Sequence, residues 1–550
     1  MSKVLGVNAV FHDPAAALVV DGTIVAAAEE ERFNRRKHGK APVPFSTWEV
    51  PEHAARWCLE RGGLDVDDLD AVAYSYDPAL APALASPDAD AVVDRQWEGL
   101  RTLFVRRAPR FLATSLPGLA HTTVRFVPHH VAHAASAFHA SPYDRSATMV
   151  LDGRGESSSY LAGVAIDGDL TVLATQELPH SLGLLYEEVT AHLGFTRSSD
   201  EYKVMALASY GTPSYIEEFR ASVRTTGDGR FRTDPIDLQQ LARRRSKDEP
   251  VGPDHADLAA SLQCRLEEVL VELADWLHNE TRMDALTMAG GVALNCVANS
   301  RIHRDSAFRD VWIQPAAGDA GTALGAALAV AHQLGDRVAP MATAALGPSW
   351  TDAEIERELR RAAVPFERAA DVAIDVGDAL AADQVVAWFQ GASEYGPRAL
   401  GHRSLLADPR PVGNLERLND IKGREQFRPV APMVTLERAA DVFEGPVPSP
   451  YMLFVHRVRD EWRDKIPTVV HVDGTARIQT VDREAEPLMA AVIDRFAAAT
   501  GVPVIVNTSL NTAGRPMVDS PRDALECFGS SPIDVLAMGP YVVRRRRLFA

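Results

Sequence analysis

The apolar positions of this chain fall into short runs separated by glycine turns, and two stretches far apart repeat one plan. Residues 4–8 lead to an apolar run at 15–20, turn at Asp21-Gly22 and return as 23–27. Residues 148–152 lead through Gly153 and Gly155 to a run at 160–166, turn at Asp167-Gly168 and return as 170–173. Each is a strand ending in an amide or a carboxylate, followed by a hairpin whose Asp-Gly turn is a strong local signal. The repetition predicts a duplicated α/β domain. Two such halves would set Asn8 and Asp152 at corresponding strand ends across a cleft, where α/β folds bind ligands.

Further along, residues 285–295 read as a buried strand running into Gly290-Gly291 and then a helix. The paired glycines either let backbone amides approach a nucleotide or simply make a tight strand-to-helix turn. Residues 314–325 repeat that form with small residues that let a helix pack closely. Asp319 stands at its start, where a carboxylate either caps the helix or coordinates a metal. The polar, charged stretch 225–254 predicts a surface excursion. Between 338 and 350, Pro340, Gly347 and Pro348 break a helix-rich region, and Thr351-Asp352 restarts it, so two domains are expected, 1–345 and 350–550. In the second, residues 385–389 form a strand before a glycine-rich loop at 390–404. A short buried strand at 503–506 ends in the polar cluster Asn507-Thr508-Ser509-Leu510-Asn511.

Composition narrows the choice of partners. A chain of 550 residues is too long for one core, and 46% hydrophobic with 24% charged residues is an ordinary globular balance. The 57 Lys+Arg against 75 Asp+Glu give a formal charge of −18, a field that repels phosphate backbones, so no nucleic-acid partner is expected. The 4 cysteines are far apart with no Cys-x-x-Cys pair, which suits a reducing compartment. The amino terminus enters a strand at once, and no run of about eighteen apolar residues occurs, so a cytoplasmic protein without a membrane span is expected. Against this acidic background Arg398, Arg403, Lys422, Arg424, Arg428 and Arg477 gather around glycine-rich turns. They either build an anion pocket for a triphosphate or acyl phosphate or pair with surface carboxylates.

The sharpest chemical signal is Pro128-His129-His130-Val131-Ala132-His133. On a helix His129 and His133 lie one turn apart on one face, and Asp152 can bring a carboxylate from a strand end. This is either a metal site in outline or two unrelated histidines. His130 points to the other helical face.

Taken in order, these motifs resemble one family over essentially the whole chain. Residues 6–8 with His12-Asp13, the His-His-x-x-His helix, Leu151-Asp152-Gly153, the run 202–211, Gly290-Gly291 through Asn295, and Gly318-Asp319-Ala320-Gly321 resemble the TsaD-like, actin-type (ASKHA) duplicated domain. Lys422-x-Arg424 with Ser509-x-Asn511 resembles the signature of the α/β YrdC-like domain. The chain is thus identified as resembling the antibiotic and nodulation-type O-carbamoyltransferases. The resemblance implies that the YrdC-like site converts carbamoyl phosphate and ATP, with Mg(II), to carbamoyl adenylate. An acceptor hydroxyl then attacks the adenylate in the TsaD-like cleft.

It further implies that Lys422, Arg424, Arg428, Arg477 and Ser509 polarise carbamoyl phosphate and the ATP phosphates. Lys37, Lys203, Gly290, Gly291, Asn295, Arg398, Asn507 and Asn511 are implied as nucleotide or carbamoyl-phosphate contacts. His129, His133, Asp152 and Asp319 are implied as ligands of a divalent metal, iron(II) by family analogy, although two nitrogens and two carboxylates also suit manganese, cobalt or zinc. His12 is the candidate beside the acceptor hydroxyl, as general base or orienter, or else it closes a turn. The acceptor is expected to be a hydroxylated small molecule such as an antibiotic or other secondary metabolite, lined by residues within 79–115 and 225–254. Two rivals are a fused tRNA-threonylcarbamoylating enzyme, which the charge opposes, and a non-catalytic nucleotide-binding regulator. Neither the acceptor nor the oligomeric state has a signature in the sequence.

Overall fold

A computed structural model describes residues 2–41, 44–81, 95–120 and 123–545. The chain forms two compact units, Met1–Thr343 and Ala344–Ala550.

The first unit contains two five-stranded sheets of identical plan. In one, β1 (Lys3–Asn8) pairs antiparallel with β2 (Ala15–Val20), which pairs with β3 (Thr23–Glu29), while β4 (Ala71–Tyr74) and β5 (Val124–Phe126) add parallel on the other side of β1. In the other, β6 (Arg145–Leu151), β7 (Ser158–Ile166) and β8 (Asp169–Glu177) form the antiparallel arm, and β9 (Ala285–Ala289) and β10 (Asp310–Ile313) the parallel one. The duplication read from the hairpins is therefore present in the strand order, the plan expected of an actin-type domain. Both turns use left-handed residues, Asp21 at φ 51° with Gly22 at 70°, and Asp167 at 53° with Gly168 at 91°. That is the backbone a two-residue hairpin needs to match strand twist.

Six helices lie around the site: α1 (His129–Phe138), α2 (Leu182–His192), α3 (Glu201–Ala208), α4 (Pro253–Thr281), α5 (Cys296–Asp305) and α6 (Asp319–Gln333). Helices α1 and α6 are buried nearly all round, which their alanine-rich sequences permit. Gly325 of α6 lies against the Ala132 carbonyl of α1, where a Cβ would overlap it. Close approach of the two helices thus depends on this hydrogen side chain. The polar stretch expected as an excursion carries a short hairpin, Val223–Thr225 with Phe231–Thr233, before α4 begins.

The second unit is α/β around an eight-stranded mixed sheet. Its strands are β11 (Glu367–Arg368), β12 (Val386–Phe389), β13 (Arg403–Ala407), β14 (Ala431–Thr435), β15 (Gln479–Val481), β16 (Val504–Ser509), β17 (Val535–Met538) and β18 (Tyr541–Arg544), in the order β11-β18-β17-β12-β13-β16-β14-β15. Trp388, Phe389, Leu406, Ile505 and Leu536 lie in its core, all at 1% exposure or less. Helix α7 (Asn414–Lys422) stops at Gly423, whose φ of 56° makes the left-handed cap. Among the described residues no helix is long and apolar enough to cross a membrane.

Candidate metal centre and anion site

Three elements of the first unit aim four donors at one point. His129 and His133 come from the first turns of α1, Asp152 follows β6, and Asp319 opens α6; all four are buried. His129 Nε2 lies 3.5 Å from Asp152 Oδ2 and 3.6 Å from Asp319 Oδ1, and His133 Nε2 lies 3.9 and 3.7 Å from the same two oxygens. Asp319 is the first residue of its helix, and its Oδ2 is buried without a hydrogen-bond partner. Its side chain faces the cluster.

This arrangement fits a cation on grounds of its own. His129 Nε2, both ring nitrogens of His133 and Asp319 Oδ2 are buried without a hydrogen-bond partner, a costly state for polar atoms unless something charged sits among them. Donors that meet an ion at about 2.1 Å stand roughly 3.0–3.5 Å from one another, close to the separations seen. The charges are mutually dependent. Burial opposes the charge on His129, but Asp152 and Asp319 outweigh it and hold its proton affinity well above the histidine range. Burial likewise opposes the charges on both aspartates, yet the histidines hold their carboxyls well below the ordinary range, His129 leading for Asp152 and His12 for Asp319.

Two supporting residues, Ser75 and Glu156, have no signature in the sequence. His129 Nδ1 is 3.2 Å from the Ser75 carbonyl, which fixes the proton there and leaves Nε2 bare toward the cluster. The N–H of His129, first in its helix, donates to Glu156 Oε1 at 2.8 Å, as does that of Asp77. Burial pushes the Glu156 carboxyl up. The Gly291 N–H donates to Asp152 Oδ1 at 2.9 Å, orienting the carboxylate. Gly290, at φ 94°, packs against Leu151 where a Cβ would overlap the backbone. The glycine pair therefore makes the tight turn, and one of its amides meets a carboxylate. Asn295 caps α5 through Ala298 N–H at 3.1 Å and exchanges hydrogen bonds with Gln263. Its side chain is engaged in the fold.

His12 stands at the edge of the cluster, Nε2 3.9 Å from Asp319 Oδ2. Burial opposes its charge, but Asp319, Asp13 and Asp152 together raise it to about 10. His130 drops out, its Nδ1 3.0 Å from Ser158 Oγ, and burial with His129 nearby lowers it to about 3. Lys37 pairs with Glu31 at 3.3 Å and Lys203 with Asp200 at 3.2 Å. Within the expected acceptor segments, residues 82–94 lie outside the described residues.

In the second unit the two separated motifs meet. Lys422 Nζ, at the end of α7, donates to the Ser509 carbonyl, to Ser509 Oγ at 3.0 Å and to Asn511 Oδ1 at 2.6 Å at the end of β16. Arg424 is held by Asn419 Oδ1 at 2.5 Å, and Arg428 lies 3.6 Å from Glu425. The buried Nε of Arg477 has no hydrogen-bond partner among the described residues. His471 beside it is kept neutral, pushed down to about 4 by burial and by that guanidinium. Arg398 is half-buried in the loop between β12 and β13. Asn507, fully buried, donates to the Ala399 carbonyl at 3.0 Å and to Gln479 at 2.7 Å. Arg403 departs from the expected cation group. Its guanidinium donates to the carbonyls of Gln390, His402, Pro348 and Gly391 and lies 3.8 Å over the Phe389 ring, so it clamps the loop.

Comparison with known proteins decides the family. A family model described as Carbamoyltransferase N-terminus matches residues 3–328, and one described as Carbamoyltransferase C-terminus matches residues 377–545. The chain belongs to the carbamoyltransferase family. It is a transferase, acting with a carbamoyl donor and an acceptor. Among relatives of this carbamoyltransferase, nodulation protein NolNO of Sinorhizobium fredii is 38% identical over 98% of this chain and 80% of its own length. NolO of Bradyrhizobium diazoefficiens is 40% identical over 76% of this chain and 79% of its own. An uncharacterized Synechocystis protein is 37% identical over 99% and 97%. Among solved structures, HypF of T. kodakarensis is similar at 14% identity and a TM-score of 0.38, over 62% of this chain and 49% of that one, too distant to bear on chemistry.

Proposed function

We propose that this carbamoyltransferase is an ATP-dependent O-carbamoyltransferase with two active centres. One observation carries the reading: the four buried metal-type donors all lie within residues 1–343, while Lys422, Ser509, Asn511 and Arg477 all lie within 344–550. A family member with two chemically unlike centres suits a reaction split into activation and transfer.

At the second-unit centre, Lys422, Arg424, Arg428 and Arg477 supply fixed positive charge to carbamoyl phosphate and to the ATP phosphates, with Arg398, Asn507 and Asn511 shaping the pocket. Carbamoyl phosphate loses its phosphate to water, leaving carbamate. A carbamate oxygen attacks the α-phosphorus of ATP, and pyrophosphate leaves. The product, carbamoyl adenylate, carries a good leaving group and a large handle for orientation.

At the first-unit centre, His129, His133, Asp152 and Asp319 would hold a divalent cation, iron(II) by analogy, which would supply Lewis acidity toward the adenylate oxygens. The cation's charge would offset the Asp152 and Asp319 carboxylates that raise His12, leaving its Nε2 without a proton, so that His12 Nε2 takes the proton of the acceptor hydroxyl as that oxygen attacks the carbamoyl carbon, and AMP departs. The acceptor is a hydroxylated small molecule of the antibiotic or secondary-metabolite kind. The test is incubation with carbamoyl phosphate, ATP and a panel of hydroxylated natural products, following pyrophosphate and acceptor mass. The reading predicts pyrophosphate release and a mass gain of one carbamoyl group. Absence of pyrophosphate with every panel member overturns it.

A further inference from the structure

His12 does not stand alone. Its Nδ1 lies 2.8 Å from Asp13 Oδ2, and the other oxygen of that carboxylate, Oδ1, lies 3.0 Å from His38 Nδ1. His38 Nε2 in turn lies 2.8 Å from Ser199 Oγ, two residues before α3. One carboxylate thus bridges two imidazoles, and the second imidazole is anchored on a distant segment.

The chain accepts strain to make this bridge. Asp13 sits at φ 48° and His38 at φ 61°, both in the left-handed region that residues with a Cβ rarely occupy. Both are held from outside. Asn8 Nδ2, at the end of β1, donates to the His12 carbonyl at 3.0 Å and the Asp13 carbonyl at 2.9 Å. The Asp13 N–H donates to the His38 carbonyl at 3.2 Å, and the His38 N–H to Glu31 Oε2 at 2.8 Å. Backbone strain clasped from several sides at a candidate active centre is a pattern of preorganisation.

The consequence is directional. Nδ1 of His12 donates to Asp13 whether the ring is neutral or protonated, so Nε2 is the atom left facing Asp319. This is the orienting role a carboxylate plays behind a histidine base. His12, Asp13 and His38 also lie close enough together to suggest a second cation site. Each oxygen of Asp13, however, already meets its own imidazole at hydrogen-bond distance, which describes a bridge rather than a shared ion.

We propose that Asp13 and His38 are positioning residues for His12: Asp13 fixes the ring, and His38, tied to Ser199, fixes Asp13. The kinetic consequence rests on the reading of His12 as the base in carbamoyl transfer; the ring geometry does not.

The test uses the full-length, metal-loaded protein and the variants Asp13→Asn, His38→Asn and His38→Gln. Asparagine places its amide nitrogen near the position of His38 Nδ1 and can still donate to Asp13. Glutamine reaches only toward Ser199. With nitrogen-15-labelled histidine, a downfield ring N–H proton that disappears in His12→Gln assigns the His12 Nδ1 proton. It is expected in the parent protein and in His38→Asn, and lost or shifted upfield in Asp13→Asn and His38→Gln. Transfer from supplied carbamoyl adenylate to an acceptor found in the panel should lose kcat on the order of 10²-fold in Asp13→Asn, with KM changed less than about twofold. His38→Asn should retain most of the rate that His38→Gln loses, with bound metal unchanged in all three. A resonance indifferent to Asp13 and His38, or loss of one equivalent of metal in any variant, overturns the proposal. Full transfer rates in Asp13→Asn and His38→Gln overturn it too. A locked ring in a parent protein that transfers nothing overturns the function reading and leaves the positioning intact.

Discussion

His129 presents Nε2 to the centre because the Ser75 carbonyl takes the proton on Nδ1, and Asp152 presents Oδ2 because the Gly291 N–H holds Oδ1. Neighbours of this kind set ring orientation and ligand basicity, and their loss typically weakens metal binding 10–100-fold. A Cβ on Gly291 would stand 3.1 Å from Asp152 Oδ1, so Gly291→Ala must displace the carboxylate. Chelator competition should show about tenfold weaker binding of the divalent metal; unchanged affinity would mean the carboxylate is not held there. The four donors were legible as a histidine pair at helical spacing, an aspartate at a strand end and an aspartate at a helix start, and the family resemblance joined them into one set. Ser75, Glu156, Asp13 and His38 were not, since their roles depend on contacts that only the folded chain creates. Lys422 and Ser509 were legible through short motifs. The internal partners of Arg403 and Asn295 were not legible, because a residue type does not reveal whether its donors are already engaged.

Among the elements, the hairpins were readable since an Asp-Gly turn specifies its own backbone locally. The order of strands, with β4 and β9 inserted parallel beside β1 and β6, follows from distant pairing and was not. The packing of α6 on α1 depends on Gly325 meeting the Ala132 carbonyl, in the helix that carries His129 and His133. Gly325→Val should force the helices apart and cost about 1–3 kcal/mol of stability, read as a lower urea midpoint. The same variant should bind metal more weakly. An unchanged midpoint would show that the helices tolerate separation.

At the scale of the molecule, stability carries a pH signature from one buried cation. Burial pushes Lys40 down to about 7, with Arg101 adding to the effect and Glu49 and Asp319 opposing it, while its ammonium donates to the carbonyls of Ala9 and Ser46. The folded affinity lies below the unfolded one of about 10.4, so the unfolded chain binds more protons across that interval. The parent protein should therefore gain stability relative to Lys40→Met as pH rises from about 7 to about 10, by urea unfolding at each pH; a constant difference would contradict this. The division of labour between the two units bears most on function. Pyrophosphate release from carbamoyl phosphate and ATP, and carbamoylation from supplied carbamoyl adenylate, should be measured separately in Lys422→Ala and His129→Ala. Lys422→Ala should lose the first activity and keep the second, His129→Ala should do the reverse, and mixing them should restore product. Loss of both activities in either stably folded variant, or retention of both, would contradict it.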